Sequence, residues 1–245
     1  MLTDDALAVA VEIVTAAGAM AAARQDGVAE RTKPSSHSLA GAVVTDVDLE
    51  VERYVDAELA RRRPDDGLVG EEYVNRRGRS GLTWCVDPVD GTLNYARRLG
   101  PWSVVLSAWS GDEAELVAVW SDGRCWTAAR GSGAHLDGAR LRLPAEPEPR
   151  GIVQVTARLA APVAEQGWLA RTLESSAAQM CQVADGRANG TIRLRGDRRD
   201  AHGPALLVEE AGGLVTDLAG GPWSGASRGL VAARTGVHAD LLALV

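Results

Sequence analysis

The stretch WCVDPVDGTLNY, residues 84–95, joins an apolar run to two acidic residues and a tight turn. Its first residues have the short, apolar character of a strand buried inside a sheet. Asp87 and Asp90 follow, three residues apart on either side of Pro88. Because Pro88 fixes its own φ and Gly91 permits a tight backbone, we expect a turn that reverses the chain and brings both carboxylates to one point.

A third acidic residue follows another apolar run. Glu71 comes directly after residues 68–70, and side chains at strand ends face the crevice where α/β sheets commonly build sites. Converging carboxylates repel one another unless they share protons or bind cations. Hard oxygen ligands with no neighbouring His or Cys suit Mg²⁺, which also binds substrate phosphate. The alternative interpretation is that Asp87 and Asp90 are merely turn formers.

Apolar periodicity predicts regular elements along the rest of the chain. Residues 7–21 and 51–59 have helical spacing, and residues 68–70 and 82–86 are short strands. Further strands are predicted at 103–108, 115–120, 124–128, 151–157, 191–194, 214–218 and 229–233, and further helices at 161–188 in pieces, 201–211 and 237–245.

A Pro-rich segment at residues 143–149 is the best candidate boundary between two parts of the chain. We therefore predict an N-terminal α+β subdomain at residues 1–145, which carries most of the acidic site residues. A C-terminal α/β subdomain is predicted at residues 146–245, which carries Asp200 and the residues that set specificity.

The stretch at residues 84–95 closely resembles the first signature of the inositol monophosphatase family, W-x-[IV]-D-P-[IVL]-D-G-T-x-N-[FY]. Upstream, VTDVDLEVE at residues 44–52 is similar to the family segment V-T-x-x-D-x-x-[VI]-E. Downstream, Asp200 and EAGG at residues 210–213 resemble its second signature, and residues 131–134 match its G-x-G-A. The resemblance extends in order over most of the chain.

This resemblance implies both a fold and a chemistry. The family consists of Mg²⁺-dependent, lithium-sensitive phosphatases in one superfamily with fructose-1,6-bisphosphatase. Its fold is of the α/β (α+β) class, a layered α-β-α-β-α sandwich. For this chain the resemblance implies a phosphomonoesterase that hydrolyses a small polar phosphate ester, of the inositol or sugar phosphate type, by metal-activated water. It also implies two or three bound Mg²⁺ ions and a homodimer.

By motif match, the resemblance also implies which residues bind metal. One Mg²⁺ would be held by Glu71, Asp87 and the carbonyl of Val89. A second would be held by Asp87, Asp90 and Asp200, and Glu71 with waters would hold a weaker third.

The resemblance implies a catalytic network as well. Thr92 would orient the attacking water with Glu71 as its acceptor, and Asp48 and Thr45 would support that pair. Phosphoryl transfer asks mainly for positioning and charge neutralisation, so no nucleophilic side chain is required. Backbone N–H groups of Gly91 and Thr92 would grip the phosphate at a helix N-terminus. The implied substrate-binding residues are Asp90, Gly91, Thr92, Arg193 and Asp200.

Several positions depart from the family pattern. Arg199 replaces a Trp, residues 202–204 replace A-A-G, and Arg193 stands where inositol-specific members carry a Glu that bonds substrate hydroxyls. Because an Arg can pair with a second phosphate or a carboxylate, a nucleotide 3′(5′)-phosphatase and a histidinol-phosphate phosphatase are alternative functions. The altered stretch at residues 199–204 keeps open a different class, a non-catalytic scaffold that binds metal or metabolites.

Three expectations concern loops and charges near the proposed site. The apolar pattern ends around residues 23–42, where we expect a polar loop that acts as a mobile flap, and the loop at residues 33–44 is longer than is typical of the family. Asp200 precedes a predicted helix, so it is either an N-cap or a metal ligand. The run of five arginines either adds positive charge at the mouth of the site or forms a solvated basic face. These arginines are Arg187, Arg193, Arg195, Arg198 and Arg199.

Composition excludes several classes of protein. The 245 residues include 26 basic and 33 acidic side chains, and the net charge of −7 argues against binding to nucleic acid or to an anionic membrane. No run reaches the roughly 18 consecutive apolar residues of a membrane span, and the acidic N-terminus differs from a signal sequence, so we expect a cytoplasmic protein. Three scattered cysteines predict no disulfide framework and no thiolate zinc site.

Overall fold

Helices and sheets alternate in five layers in a computed structural model of the chain, which describes residues 2–28, 30–32, 43–148 and 151–245. Ten positions of the expected flap, residues 33–42, lie outside this described part. The helices of the described part are α1 (Leu2–Arg24), α2 (Asp46–Arg62), α3 (Thr92–Arg97), α4 (Ala160–Glu165), α5 (Ser176–Ala184), α6 (Gly203–Glu210) and α7 (Thr235–Leu242).

The strands of the described residues form a small pair and two larger sheets. The pair consists of β1 (Glu30–Thr32) and β2 (Val43–Thr45). The larger sheet has the order β10-β9-β8-β7-β6-β5-β3-β4 and is antiparallel except between β3 and β5. Its strands are β3 (Gly67–Val69), β4 (Asn75–Arg76), β5 (Leu82–Asp90), β6 (Ser103–Ser110), β7 (Glu113–Ser121), β8 (Arg124–Ala129), β9 (Gly133–Leu136) and β10 (Ala139–Arg140).

The second sheet is formed entirely by the C-terminal part of the chain. Its order is β12-β11-β13-β15-β14, with parallel pairs at β11 and antiparallel pairs at β15. Its strands are β11 (Ile152–Val155), β12 (Leu169–Arg171), β13 (Gly190–Arg193), β14 (Leu214–Asp217) and β15 (Leu230–Ala233). The predicted subdomain boundary at residues 145/146 falls in the connection between the two sheets and stays a prediction.

Apolar cores join successive layers of the described residues. The first core packs α1 and α2 on one face of the larger sheet and contains Trp84 and Val86. The second lies between the larger sheet, α5, α6 and the second sheet, and contains Cys85 and Leu206. The third packs α4 and α7 on the outer face of the second sheet around Val163. The predicted α-β-α-β-α layering is confirmed.

A bulge at the end of β5 sets the direction of the two acidic side chains there. Asp87 pairs with Val105 of β6, and Asp90 pairs with Ser103, so three steps along β5 face two along β6. In a regular strand, residues three apart point to opposite faces. The extra residue returns Asp90 to the face of Asp87. The expected chain-reversing turn is therefore wrong, because the strand continues to Asp90 and the bulge aligns the carboxylates.

The structure also corrects some predicted elements. The helical region expected at residues 161–188 is interrupted by β12, which separates α4 from α5. The helix expected directly after Asp200 begins at Gly203, because a π-type turn over Arg198–His202 precedes it. The two-residue strands β4 and β10 were too short for their pattern to predict.

Helix α1 is long and apolar enough, by length and composition alone, to cross a membrane. The segment Asp5–Arg24 has a mean hydropathy of 1.9. In the fold, one face of the helix packs into the first core through Ala10, Val14 and Ala17. A core helix of a soluble protein meets the same criterion, so the absence of membrane binding stays a prediction.

Candidate active site

A cavity of about 250 Å³ opens where β5 ends, opposite the amino end of α5. It contains every predicted metal-binding and substrate-binding residue, and Asp48 and Thr45 lie behind it. Its lining consists of Val43, Glu71, Asp87, Val89, Asp90, Gly91, Thr92, Leu93, Glu174, Ser176, Arg193, Asp197, Arg199 and Asp200.

Asp87 is the most strongly perturbed carboxyl of this cavity. Its side chain is buried, and one oxygen accepts a hydrogen bond from the Val89 N–H at 3.1 Å. Burial raises the pKa of Asp87 well above its ordinary value, and the negative charges of Glu71, Asp90 and Asp200 raise it further. The protein thus assembles like charges around Asp87, an arrangement that favours a proton or a cation.

Asp90 binds the amino end of α5. Its oxygens accept hydrogen bonds from the Ser175 hydroxyl at 2.6 Å and from the N–H groups of Ser176 and Ala177 at 3.0 and 2.8 Å. Burial and the charge of Asp200 raise the pKa of Asp90 to about 7, although these hydrogen bonds lower it. Asp90 therefore links the larger sheet to the helical layer beneath it.

Asp200 reaches the same cavity from the turn before α6. One oxygen accepts a hydrogen bond from the Asp197 N–H at 2.9 Å, and the other lies 3.3 Å from the Ser176 hydroxyl. The N-cap of this turn is Asp197, not Asp200, because the Asp197 side chain accepts from the Arg199 N–H. Burial and the negative charge of Asp197 raise the pKa of Asp200.

Thr92, Asp48 and Thr45 form a connected set behind the cavity. The Thr92 hydroxyl lies 2.9 Å from the Val89 carbonyl and 3.3 Å from Asp48. The other oxygen of Asp48 accepts from the Thr45 N–H at 2.8 Å and from its hydroxyl at 2.6 Å, which caps α2. Burial raises the pKa of Asp48 to about 7, with the charges of Glu71 and Glu72 adding to the effect.

Glu71 lies in a bend that begins one residue after β3, and its charge acts on Asp87. The bend wraps around Glu52, a fully buried residue of α2 whose carboxylate accepts from the N–H groups of Glu72, Tyr73 and Val74. These hydrogen bonds to Glu52 shape the bend, and the bend carries Glu71 to the cavity.

The arginines of the expected basic run separate in the fold. Arg193, at the end of β13, lines the cavity, and its Nε is buried without a hydrogen-bond partner among the described residues. Arg199 also lines it, paired with Asp197, and the charges of Asp197, Glu71 and Asp87 raise its pKa. Arg187 and Arg198 instead form ion pairs elsewhere, with Asp185 and Asp112.

The donor set suits a hard divalent cation in its chemistry. All of its charged members are carboxylates, which Mg²⁺ prefers, and their repulsion at Asp87 is relieved by positive charge. Within the described part of the chain, no three His, Cys, Asp or Glu side chains already enclose one point at metal-ligand geometry.

Sequence analysis assigns no role to Glu52, Ser175 or Asp197. Glu52 does leave a signal, because it falls on the same helical face as Val51, Val55 and Leu59, where a charged residue is unexpected. Asp197 has the capping-box spacing to Asp200. Ser175 meets Asp90 across 85 residues of chain, and no local pattern predicts such a contact.

The fold and its acidic cavity define a metal-dependent phosphatase, a phosphoric monoester hydrolase that acts on small-molecule phosphates. The chain belongs to the inositol monophosphatase family, which it matches over residues 3–245.

Two related proteins and one solved structure show what the chain is similar to. Human inositol monophosphatase 1 is 28% identical over 222 residues, which cover 82% of this chain and 80% of the relative. A Streptomyces griseus protein named glucose-1-phosphate thymidylyltransferase is 35% identical over 199 residues, or 76% of each chain. The solved structure of an IMPase from Thermotoga maritima has the same fold, with a TM-score of 0.88 at 23% identity over 98% of this chain and 96% of that one.

Proposed function

We propose that the chain is a Mg²⁺-dependent phosphomonoesterase that releases phosphate from a small polar ester. One observation carries the proposal. Asp87, Asp90, Asp200 and Glu71 come from distant stretches to a single cavity, where burial and mutual repulsion raise the pKa of Asp87. A bound cation would relieve the repulsion among these carboxylates and would also attract an anionic substrate.

The proposed metal ligands are those that the family motifs imply, and all of them line the cavity. Glu71, Asp87 and the Val89 carbonyl would hold one ion, and Asp87, Asp90 and Asp200 a second, with a weaker third at Glu71. The Val89 carbonyl has a second lone pair free for this task beside the Thr92 hydroxyl. When bound, Mg²⁺ neutralises phosphate charge and lowers the pKa of a water molecule.

Thr92 would orient the attacking water. Its hydroxyl is already placed by Asp48 and by the Val89 carbonyl, and Asp48 is in turn fixed by two hydrogen bonds from Thr45. A hydroxyl that is already oriented can hold a water molecule in line for attack on the phosphorus. No free energy is then spent on orienting that hydroxyl in each catalytic cycle. Glu71, which lines the same cavity, would accept the proton of that water.

The phosphate would bind the backbone N–H groups of Gly91 and Thr92, beside the oxygens of Asp90 and Asp200. Gly91 adopts φ +88°, and a Cβ there would lie 3.0 Å from the Glu174 carbonyl and from the Ser175 side chain. Only glycine adopts this conformation readily at so close an approach. Gly91 and Thr92 both line the cavity, which supports a role of their N–H groups in phosphate binding.

Arg193 would recognise the alcohol portion of the ester. Its guanidinium is always charged, and its buried Nε has no partner within the described residues, whereas the Arg199 guanidinium is occupied by Asp197. An unmatched buried donor favours a ligand that carries an anionic group there. We therefore propose that the ester carries a carboxylate or second phosphate, as sugar bisphosphates and nucleotide phosphates do.

Phosphate release from a panel of esters tests the proposed function. The panel contains inositol, sugar, nucleotide and amino-alcohol phosphates, each assayed with Mg²⁺ and with EDTA. We expect release from at least one class with Mg²⁺ and none with EDTA. A flat panel from well-folded protein would instead favour the metabolite-binding scaffold.

Two outcomes of the panel separate the alternatives. Preference for nucleotide 3′- or 5′-phosphates or for histidinol phosphate over inositol phosphate would assign one of those phosphatase activities. Pyrophosphate release from thymidine triphosphate with glucose 1-phosphate tests the activity named for the Streptomyces relative. We expect none, because in-line attack by water at one phosphate is what the cavity supports.

The role of Arg193 is tested by two esters that differ in one group. Glycerol 3-phosphate and 3-phosphoglycerate differ by a carboxylate, so the Arg193→Gln variant should lose about tenfold more kcat/KM on the acid than on the alcohol. Arg187→Gln is the control, because Arg187 binds Asp185 away from the cavity. Equal losses on both esters would contradict a role in recognition and leave the phosphatase proposal intact.

We also propose that the protein acts in the cytoplasm as a homodimer and binds neither nucleic acid nor membrane. Its net charge of −7 supports the last two statements, because phosphate backbones and anionic lipids repel it. Size-exclusion chromatography with light scattering tests the dimer, and a mass near 51 kDa, twice the 25.7 kDa chain, is expected.

A further inference from the structure

We propose that Glu52, which lies outside the cavity, is a positioning residue that fixes the segment carrying Glu71. This inference rests on the proposed function. Glu52 is fully buried in α2, and its carboxylate accepts hydrogen bonds from three consecutive N–H groups of the neighbouring segment. The donors are Glu72 at 2.7 Å, Tyr73 at 2.9 Å and Val74 at 2.8 Å.

The segment from Gly70 to Val74 depends on Glu52 for its shape. It connects β3 to β4, and the Gly70 N–H donates to the Val74 carbonyl at 2.8 Å. Three further N–H groups turn inward to the carboxylate of Glu52. A buried carboxylate is costly unless it is hydrogen-bonded, and three backbone donors compensate it. Segment and carboxylate therefore stabilise one another.

Gly70 allows this close approach. A Cβ at Gly70 would lie 2.0 Å from the Glu52 Oε1, a distance at which no side chain fits. The backbone of the residue before Glu71 thus packs directly on the carboxylate of Glu52. Any displacement of that carboxylate moves Glu71 with it.

Arg199 contacts the same segment from the other side. Its Nη1 donates to the Gly70 carbonyl at 3.3 Å, and its remaining nitrogens bind Asp197, the N-cap of the turn that carries Asp200. The segment is held between α2 and that turn. The position of Glu71 relative to Asp200 is consequently set by Glu52 and Arg199 together, before any ligand enters.

A fixed position for Glu71 should strengthen metal binding. If the bend were unrestrained, the ion would have to order it on binding, and the entropy lost would lower the affinity. Residues that orient ligands from behind typically contribute about 10- to 100-fold to metal affinity. Glu52 supplies this orientation through the backbone rather than through the Glu71 side chain. Its effect should therefore appear in metal affinity and in local amide exchange.

The Glu52→Gln variant tests this role by two measurements. The substitution keeps the shape of the side chain, but one oxygen becomes an NH₂ group that cannot accept. We expect at least one amide of Glu72, Tyr73 and Val74 to exchange faster with deuterium. Titration calorimetry with Mg²⁺ alone should show a Kd about tenfold higher than that of the wild type.

The matched control is Asp66→Asn, which alters another buried carboxylate. Asp66 accepts from the Trp84 Nε1 and the Arg63 Nε, both at 2.8 Å, away from the cavity. Both variants should lower Tm, but only Glu52→Gln should weaken Mg²⁺. If Glu52→Gln does not fold, Glu52→Asp keeps the charge with a shorter reach and should weaken Mg²⁺ in the same way.

The possible failures are distinguishable. A wild-type chain that binds no Mg²⁺ overturns the proposed function. A wild-type chain that binds Mg²⁺, together with a folded Glu52 variant of equal Kd, overturns the role of Glu52 alone. An equal loss of affinity in Asp66→Asn would show a general effect of stability and would overturn it as well.

Discussion

At the scale of single residues, the cavity concentrates negative charge that folding alone does not require. Asp87 is buried among Glu71, Asp90 and Asp200, and their charges and its burial raise its pKa. Replacing such a carboxylate by a neutral isostere removes repulsion, whereas function in our proposal needs the charge. Stability and activity should therefore respond in opposite directions at this position.

Asp87→Asn is expected to abolish Mg²⁺-dependent phosphate release, by about 10²-fold or more, because it removes the charge shared by the two proposed ions. In EDTA its Tm should equal or exceed that of the wild type. The measurement is phosphate release together with thermal melts followed by circular dichroism. Asp185→Asn is the control, since Asp185 caps α5 and binds Arg187 outside the cavity. Near-normal turnover in Asp87→Asn would contradict the proposed metal ligands.

At the scale of elements, the bulge in β5 and the amino end of α5 act together. The bulge turns Asp90 toward α5, and the helix supplies the hydroxyl and N–H groups that bind it. Gly91 follows immediately, with a left-handed backbone that lies against the residues before α5. The site depends on this junction between β5 and α5, where Glu174 and Ser175 leave little space for a side chain at position 91.

Gly91→Ala should destabilise the fold by about 1 to 3 kcal/mol and reduce turnover, because it adds strain at positive φ and pushes on Glu174 and Ser175. Gly138→Ala is the matched control, since Gly138 has φ +81° with no atom within 4 Å of the added Cβ. That variant should carry the backbone strain alone and keep full activity. Equal losses of activity in both variants would exclude a special role for the junction.

The sequence predicts the strand at this junction and the acidic residues on it, but it does not predict the direction in which those side chains point. Apolar strands and the spacing of Asp87 and Asp90 correctly placed the acids at a strand end. The expected turn was wrong, because a bulge is set by pairing with β6, which is distant in sequence. The contact between Asp90 and Ser175 likewise depends on the packing of layers. Local sequence patterns indicate which side chains are candidates for the site. Tertiary packing determines whether those side chains point to the same face of the sheet.

At the scale of the whole molecule, buried carboxylates make the stability of the metal-free chain depend on pH. Burial raises the pKa of Asp48 and of Asp90 to about 7, from an ordinary value of 3.8. Between these values the folded state keeps a proton that the unfolded state has lost, so stability falls as pH rises toward 7 and levels off above it. His202 acts oppositely below about pH 6.5, because burial lowers its pKa to about 4.

We therefore expect the Tm in EDTA to fall as the pH rises from 6.5 through 7 and to level off by pH 8, and Asp48→Asn to reduce that fall. Mg²⁺ should raise Tm more at pH 8, where the carboxylates are charged, than at pH 6.5. Thermal melts at both pH values measure this. Asp66→Asn is the control: its hydrogen bonds from Ser80, Arg63 and Trp84 outweigh burial and lower its pKa, so its removal should leave the slope unchanged. A Tm that is flat in the wild type would contradict the expectation.

The position of Arg193 at the end of β13, apart from the bulged strand that carries Asp87 and Asp90, has an evolutionary consequence. In our proposal, Arg193 recognises the substrate from β13, whereas Asp87 and Asp90 bind metal from β5, and Asp200 follows Arg193 by seven residues. On that proposal, a single codon change at Arg193 would change the preferred substrate and leave the proposed metal ligands in place. Duplicated copies of such a gene would then diverge in substrate specificity before they diverge in catalytic mechanism.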